Sequence, residues 1–175
     1  MDTPVLFALV AGVVIVLFLL LRPLRRRSRD LGSRLGEGLT KRMFAGKMPG
    51  ILANLGATLD FAAPAEDVDP VVTKALAADP QAAVPIGHGR WNLRAVIGEN
   101  DDAVLALTRT EAGSRLAIES SRDERGFPQG GPRWQELIGT VERAAREAGI
   151  AVTRGSITHV RTPYTTGTRW MPERT

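Results

Sequence analysis

The chain has 175 residues, no cysteine, a formal net charge of +4 and a calculated pI near 10.3. Without cysteine there are no disulfides, no thiolate catalysis and no cysteine-ligated zinc, which suits a reducing compartment. A high pI suggests nucleic acid until the charge is located: residues 22–47 carry a net of +7 and residues 48–175 a net of −2, so the basicity gives no support to nucleic-acid binding by the larger part.

The seventeen residues from Val5 to Leu21 carry no polar side chain. As a helix they cover about 25 Å, a short but workable span of a hydrocarbon core about 30 Å thick. A cleaved signal peptide needs a positive leader and a small-residue cleavage site, and Met1-Asp2-Thr3-Pro4 and Leu19-Leu20-Leu21-Arg22 provide neither. The expectation is an uncleaved single-pass anchor over residues 1–21. Basic residues follow the span and none precedes it, so the N-terminus is expected outside and the remaining chain in the cytoplasm.

Residues 22–56 then form a basic juxtamembrane segment and connector. Arg22, Arg25, Arg26, Arg27, Arg29, Arg34, Lys41, Arg42 and Lys47 are the expected contacts to anionic lipid headgroups, each worth about 1 kcal/mol near the surface. Leu31, Leu35, Leu39 and Met43 recur every four residues, as in a helix lying in the interface. Gly32, Gly36 and Gly38 oppose such a helix in water, and a basic tether without structure is the other reading.

Residues 57–162 read as an α+β domain in the order β-α-β-β-β-α-β, with an antiparallel sheet packed on two helices. Ala57–Ala63 alternates weakly as a strand, ended by Pro64. Asp69 and Pro70 read as the N-cap and first residue of a helix whose face is Val68, Val71, Val72, Ala75 and Leu76, stopping by Asp79-Pro80. Three alternating runs follow: Arg90–Ile97, Ala103–Thr110 and Arg115–Ser121. The short turns Gly98–Asp102 and Glu111–Ser114 between them predict an antiparallel meander. Pro132 opens a second helix with Trp134, Leu137, Ile138, Val141, Ala145 and Ala148 on its apolar face, closed by Gly149 in the left-handed conformation. Ala151–Val160 reads as one more strand and residues 163–175 as a loose tail.

The strand A-T-L-D-F, the segment A-A-P-A-E-D-V opening a helix, the meander and the long C-terminal helix resemble the START-like or polyketide-cyclase-like helix-grip family over Leu59–Gly149. The chain departs from that family in having fewer strands between the helices and a strand after the last one. The resemblance implies a curved sheet around the long helix, enclosing an apolar cavity for a lipid or other hydrophobic ligand. Trp91, Leu93, Leu105, Leu116, Ile118, Trp134, Leu137, Ile138 and Val141 are its expected lining.

The residues do not converge on a reaction. His88 and His159 stand far apart in sequence, Ser120 and Ser121 lack nucleophile-elbow glycines, and Gly87-His88-Gly89 is a bare G-x-G before a strand. Asp101 and Asp102 read as a solvated turn, and Trp170, beside Arg169 and Arg174, as a surface contact to membrane or partner. No catalytic, cofactor or metal residue is assigned. Two functions follow: a membrane-tethered, non-catalytic domain for a hydrophobic small molecule, or a protein-interaction module using a sheet edge or the tail. The Arg-rich, Ala-rich composition is of the kind found in high-GC bacteria.

Overall fold

The computed structural model describes residues 46–94, 101–165 and 167–173. The expected anchor over Val5–Leu21 and eight of the nine basic membrane contacts, all but the exposed Lys47, lie outside these residues. Among the described residues no helix is long and apolar enough to cross a membrane.

Three helices and nine strands are described: α1 (Met48–Gly56), β1 (Ala57–Phe61), α2 (Ala65–Leu76), β2 (Ala83–Gly87), β3 (Arg90–Arg94), β4 (Asp101–Thr110), β5 (Gly113–Glu124), β6 (Phe127–Pro128), α3 (Gly131–Glu147), β7 (Val152–Ser156), β8 (His159–Tyr164) and β9 (Gly167–Pro172). The domain is α+β with an antiparallel sheet, as its alternating runs require. The main path runs β2-β3-β4-β5-β1-β7. Leu59 and Phe61 of β1, Trp91 and Leu93 of β3, and Leu116 and Ile118 of β5 turn to one face, which α1, α2 and α3 cover. Leu59 sits opposite Leu116, and Trp91 opposite Leu105.

Helix α3 forms where its apolar stripe dictates: Trp134, Leu137, Ile138, Val141 and Ala145 are buried at helical spacing. Ala148, expected on that face, is exposed. Gly149, at φ 75°, closes the helix. Its N–H donates to Arg146 (3.0 Å) and that of Ile150 to Ala145 (2.9 Å), so two end carbonyls are satisfied.

Several expectations are corrected. Helix α2 starts at Ala65, one turn before Asp69, because Pro64 in extended conformation (ψ 154°) caps it and Glu66 and Asp67 favour its N-terminal dipole. Pro70 therefore stands inside the helix, on its exposed side. The connector that ends the segment 22–56 carries helix α1 at Met48–Gly56, held by burial of Leu55 and Gly56. Five strands lie between α2 and α3, two more than the sequence reading finds. Strand β2 is hidden by Pro85, which an edge strand tolerates because one row of its N–H groups has no partner. Asp102 belongs to β4 and not to a solvated turn: it is buried, and its Oδ1 accepts from Arg122 Nη2 at 2.8 Å.

The largest correction concerns the C-terminus. The single strand expected over Ala151–Val160 is two strands, β7 and β8, and β9 occupies much of the expected loose tail. β9 pairs with β8 and with the C-terminal half of β5, placing Trp170 opposite Ser121. Trp170 is buried, with Nε1 donating to Asp123 Oδ1 at 3.1 Å, so it is no surface contact.

Candidate functional site

One edge of β5 is shared by two strands laid end to end. β1 pairs with residues 114–116 and β9 with residues 121–122, leaving a seam between them. Beyond this row β7 pairs with β1 and β8 with β9, so the chain passes the seam a second time at Ile157-Thr158. The passage is tied down on both sides: Ile157 N–H donates to Gly56 carbonyl (2.8 Å), and Glu173 N–H to Thr158 carbonyl (2.9 Å). Gly56 is glycine for a reason, since a Cβ there would stand 2.2 Å from the Ile157 carbonyl oxygen.

The other edge of β5 is irregular at the same level. Val104 faces Ser120 and Leu105 faces Ile118, so Glu119 is the extra residue of a β-bulge. Bulge, seam and passage meet on the open face of the sheet, away from the helices. A groove of about 480 Å³ opens there, with Ala106 and Ala117 on its floor. Its walls include Thr108, Arg115 and Glu119 on one side and Ser156, Thr158 and Glu173 on the other. Two of the wall charges are paired: Arg115 Nε donates to Asp60 Oδ1 (2.5 Å), and Arg90 Nη2 to Glu119 Oε2 (2.5 Å). Gly155 makes room for this arrangement, since a Cβ there would meet Asp60 Oδ2 at 2.5 Å and Thr58 Oγ1 at 2.7 Å.

His159 closes the seam from within. It is 5 % exposed, and its Nε2 lies 2.9 Å from the carbonyl of Ile118, which stands between the stretches of β5 that pair with β1 and with β9. A carbonyl only accepts, so Nε2 carries a proton. Nδ1 is buried with no hydrogen-bond partner. Burial holds the His159 pKa below the usual histidine value, although the bond to Ile118 pulls the other way.

The nine residues expected to line an apolar cavity (Trp91, Leu93, Leu105, Leu116, Ile118, Trp134, Leu137, Ile138 and Val141) all lie in the core between sheet and helices, none more than 6 % exposed. Ile118 also borders the groove, on the opposite side of the sheet from α3. Trp134 is fixed further by its Nε1, which donates to the Ala57 carbonyl at 2.7 Å.

His88 is exposed, in a second and shallower depression of about 410 Å³ with Glu66, Asp69 and Arg109. Asp69 Oδ1 there accepts from Gly89 N–H (3.1 Å), and Glu66 from Arg109 (3.3 Å), so both carboxylates serve the fold. No group of three or more His, Asp or Glu among the described residues is arranged to hold a metal. Ser121 Oγ donates to the Gln129 carbonyl (2.8 Å), and Ser120 Oγ accepts from Arg169.

The groove residues were legible only as outward positions of strands. Two outward alanines on neighbouring strands, Ala106 and Ala117, were the available signal; the seam itself arises from pairings between distant segments. Comparison with protein-family models, curated proteins and solved structures gives no match, so function must be read from this geometry.

Proposed function

We propose that this chain is a membrane-tethered, non-catalytic interaction module whose groove receives a short extended segment of a partner protein. The observation that carries this reading is the coincidence of bulge, seam and passage on the open face. Together they make a concavity with a methyl floor and polar walls. Its volume of about 480 Å³ lies within the range of ligand sites and suits a few residues of extended chain. The adjoining β7 is an edge strand, which a partner backbone can extend by main-chain hydrogen bonds. The Val5–Leu21 run and the arginines behind it support the tethering and its direction.

A lipid held between sheet and α3 would use the nine apolar residues named above. They are packed against one another as core, which favours the open-face groove as the place of binding.

The test is site-specific photo-crosslinking of the full-length protein in cells, with benzoylphenylalanine at Thr108 in the groove or at Arg143, exposed on α3. One discrete protein adduct is expected from Thr108 and none from Arg143. Filling the floor with Ala117→Leu should remove it. An adduct that survives Ala117→Leu, or forms equally from both positions, counts against the groove.

A further inference from the structure

We infer that Arg169 is the centre of a binding site for a phosphate group on the open face of the sheet, near the hairpin end of β8 and β9 and independent of the groove. Arg169 pairs with Arg122 of β5 on one side and Thr162 of β8 on the other, so the three side chains stand on one face.

Arg122 is neutralised by Asp102 (2.8 Å) and Glu124 (2.6 Å). Arg169 is not. Its Nη1 donates to Ser120 Oγ (2.9 Å) and its guanidinium lies 5.4 Å from the centre of the Tyr164 ring. Both partners are neutral: they orient the fork, and no carboxylate among the described residues pairs with it. The other half-buried arginines among the described residues, Arg115, Arg122 and Arg133, each meet a carboxylate within 3 Å, and Arg169 meets none.

A partly desolvated guanidinium with unused N–H donors takes an oxyanion. The surrounding hydroxyls favour phosphate over carboxylate. Ser120 Oγ accepts from Arg169 and keeps its own hydrogen to donate, and the Tyr164 hydroxyl stands on an exposed side chain beside the guanidinium. A planar carboxylate is satisfied by the arginine fork alone, whereas a tetrahedral phosphate has further oxygens for these groups. The phosphate can belong to a lipid phosphomonoester headgroup or to a soluble phosphorylated small molecule.

Calorimetric titration of the full-length protein in neutral detergent with inorganic phosphate tests the site. Wild type and Arg143→Gln are expected to bind alike, and Arg169→Gln at least about tenfold more weakly. Arg169→Lys keeps the charge and loses the fork; with an unchanged circular dichroism spectrum it should still weaken binding at least about threefold. Hydrogen exchange over residues 159–172 then separates the sources. Protection in phosphatidylcholine nanodiscs containing phosphatidic acid, lost in Arg169→Gln, assigns a lipid headgroup; protection by free phosphate alone assigns a soluble ligand. Absence of binding to both, or equal binding by all variants, overturns the site.

Discussion

The Asp123 side chain is 5 % exposed beneath the β8–β9 hairpin. One of its oxygens accepts from Arg161 Nε (2.9 Å) and Nη2 (2.5 Å), the other from Trp170 Nε1 (3.1 Å). Replacing it by Ala leaves a guanidinium and an indole N–H without their acceptor. Because Arg161 is half exposed, the expected cost of Asp123→Ala is about 1–2 kcal/mol, read as a lowered urea midpoint of the full-length protein in detergent. An unchanged midpoint would mean that solvent replaces the carboxylate without loss. None of this was visible in the sequence, where Trp170 stands among arginines and its acceptor lies 47 residues away. Asp102 was misread for the same reason: as part of Glu99-Asn-Asp-Asp102 it looks like a polar turn, and only its pairing with Arg122, twenty residues on, gives it a reason to be buried.

Each element was legible to the extent that its cause is local. Helix α3 has a stripe at helical spacing, a proline near its start and a glycine just past its end, and it forms where these place it. Its Glu142 reaches beyond the helix: hydrogen bonds from Arg154 of β7, with Arg146 nearby, hold its carboxyl below the usual range and join helix to edge strand. The β8 strand is different, because its place depends on the seam, and His159 makes that dependence measurable. Its folded pKa is lowered, so the folded state disfavours the proton. The stability it contributes is present above the unfolded value of about 6.5 and is lost as pH falls below it. The denaturation midpoint of the full-length protein is therefore expected to fall between pH 7.5 and 5.5, within about the histidine range and above that of ordinary carboxylates. His159→Gln should flatten that dependence, and equal slopes in both proteins would assign it elsewhere. β2, β6 and β9 escaped the sequence reading because prolines, shortness or a run of threonines and arginines mask strands that exist by pairing with neighbours already in place.

For the whole molecule, the proposed location and the proposed recognition draw on different parts of the chain. The proposed orientation, with the arginines behind Leu21 on the inner side, is tested by a reporter active only in the cytoplasm fused after Thr175, which is expected to give signal. Silence from that fusion, with activity from an externally reporting one, would reverse the orientation. The sequence by itself determined the α+β class, the meander of β3, β4 and β5, the course of α3 and the confinement of net positive charge to residues 22–47. Those properties follow from composition and from periodicities within a few turns or a few strand residues. Only the tertiary structure decided that β1 and β9 share one edge of β5, that His159 fills the seam between them, and that the open concavity lies on the face away from the helices. These are contacts between residues 41 to 101 positions apart, and backbone pairing at that range leaves no local period in the sequence.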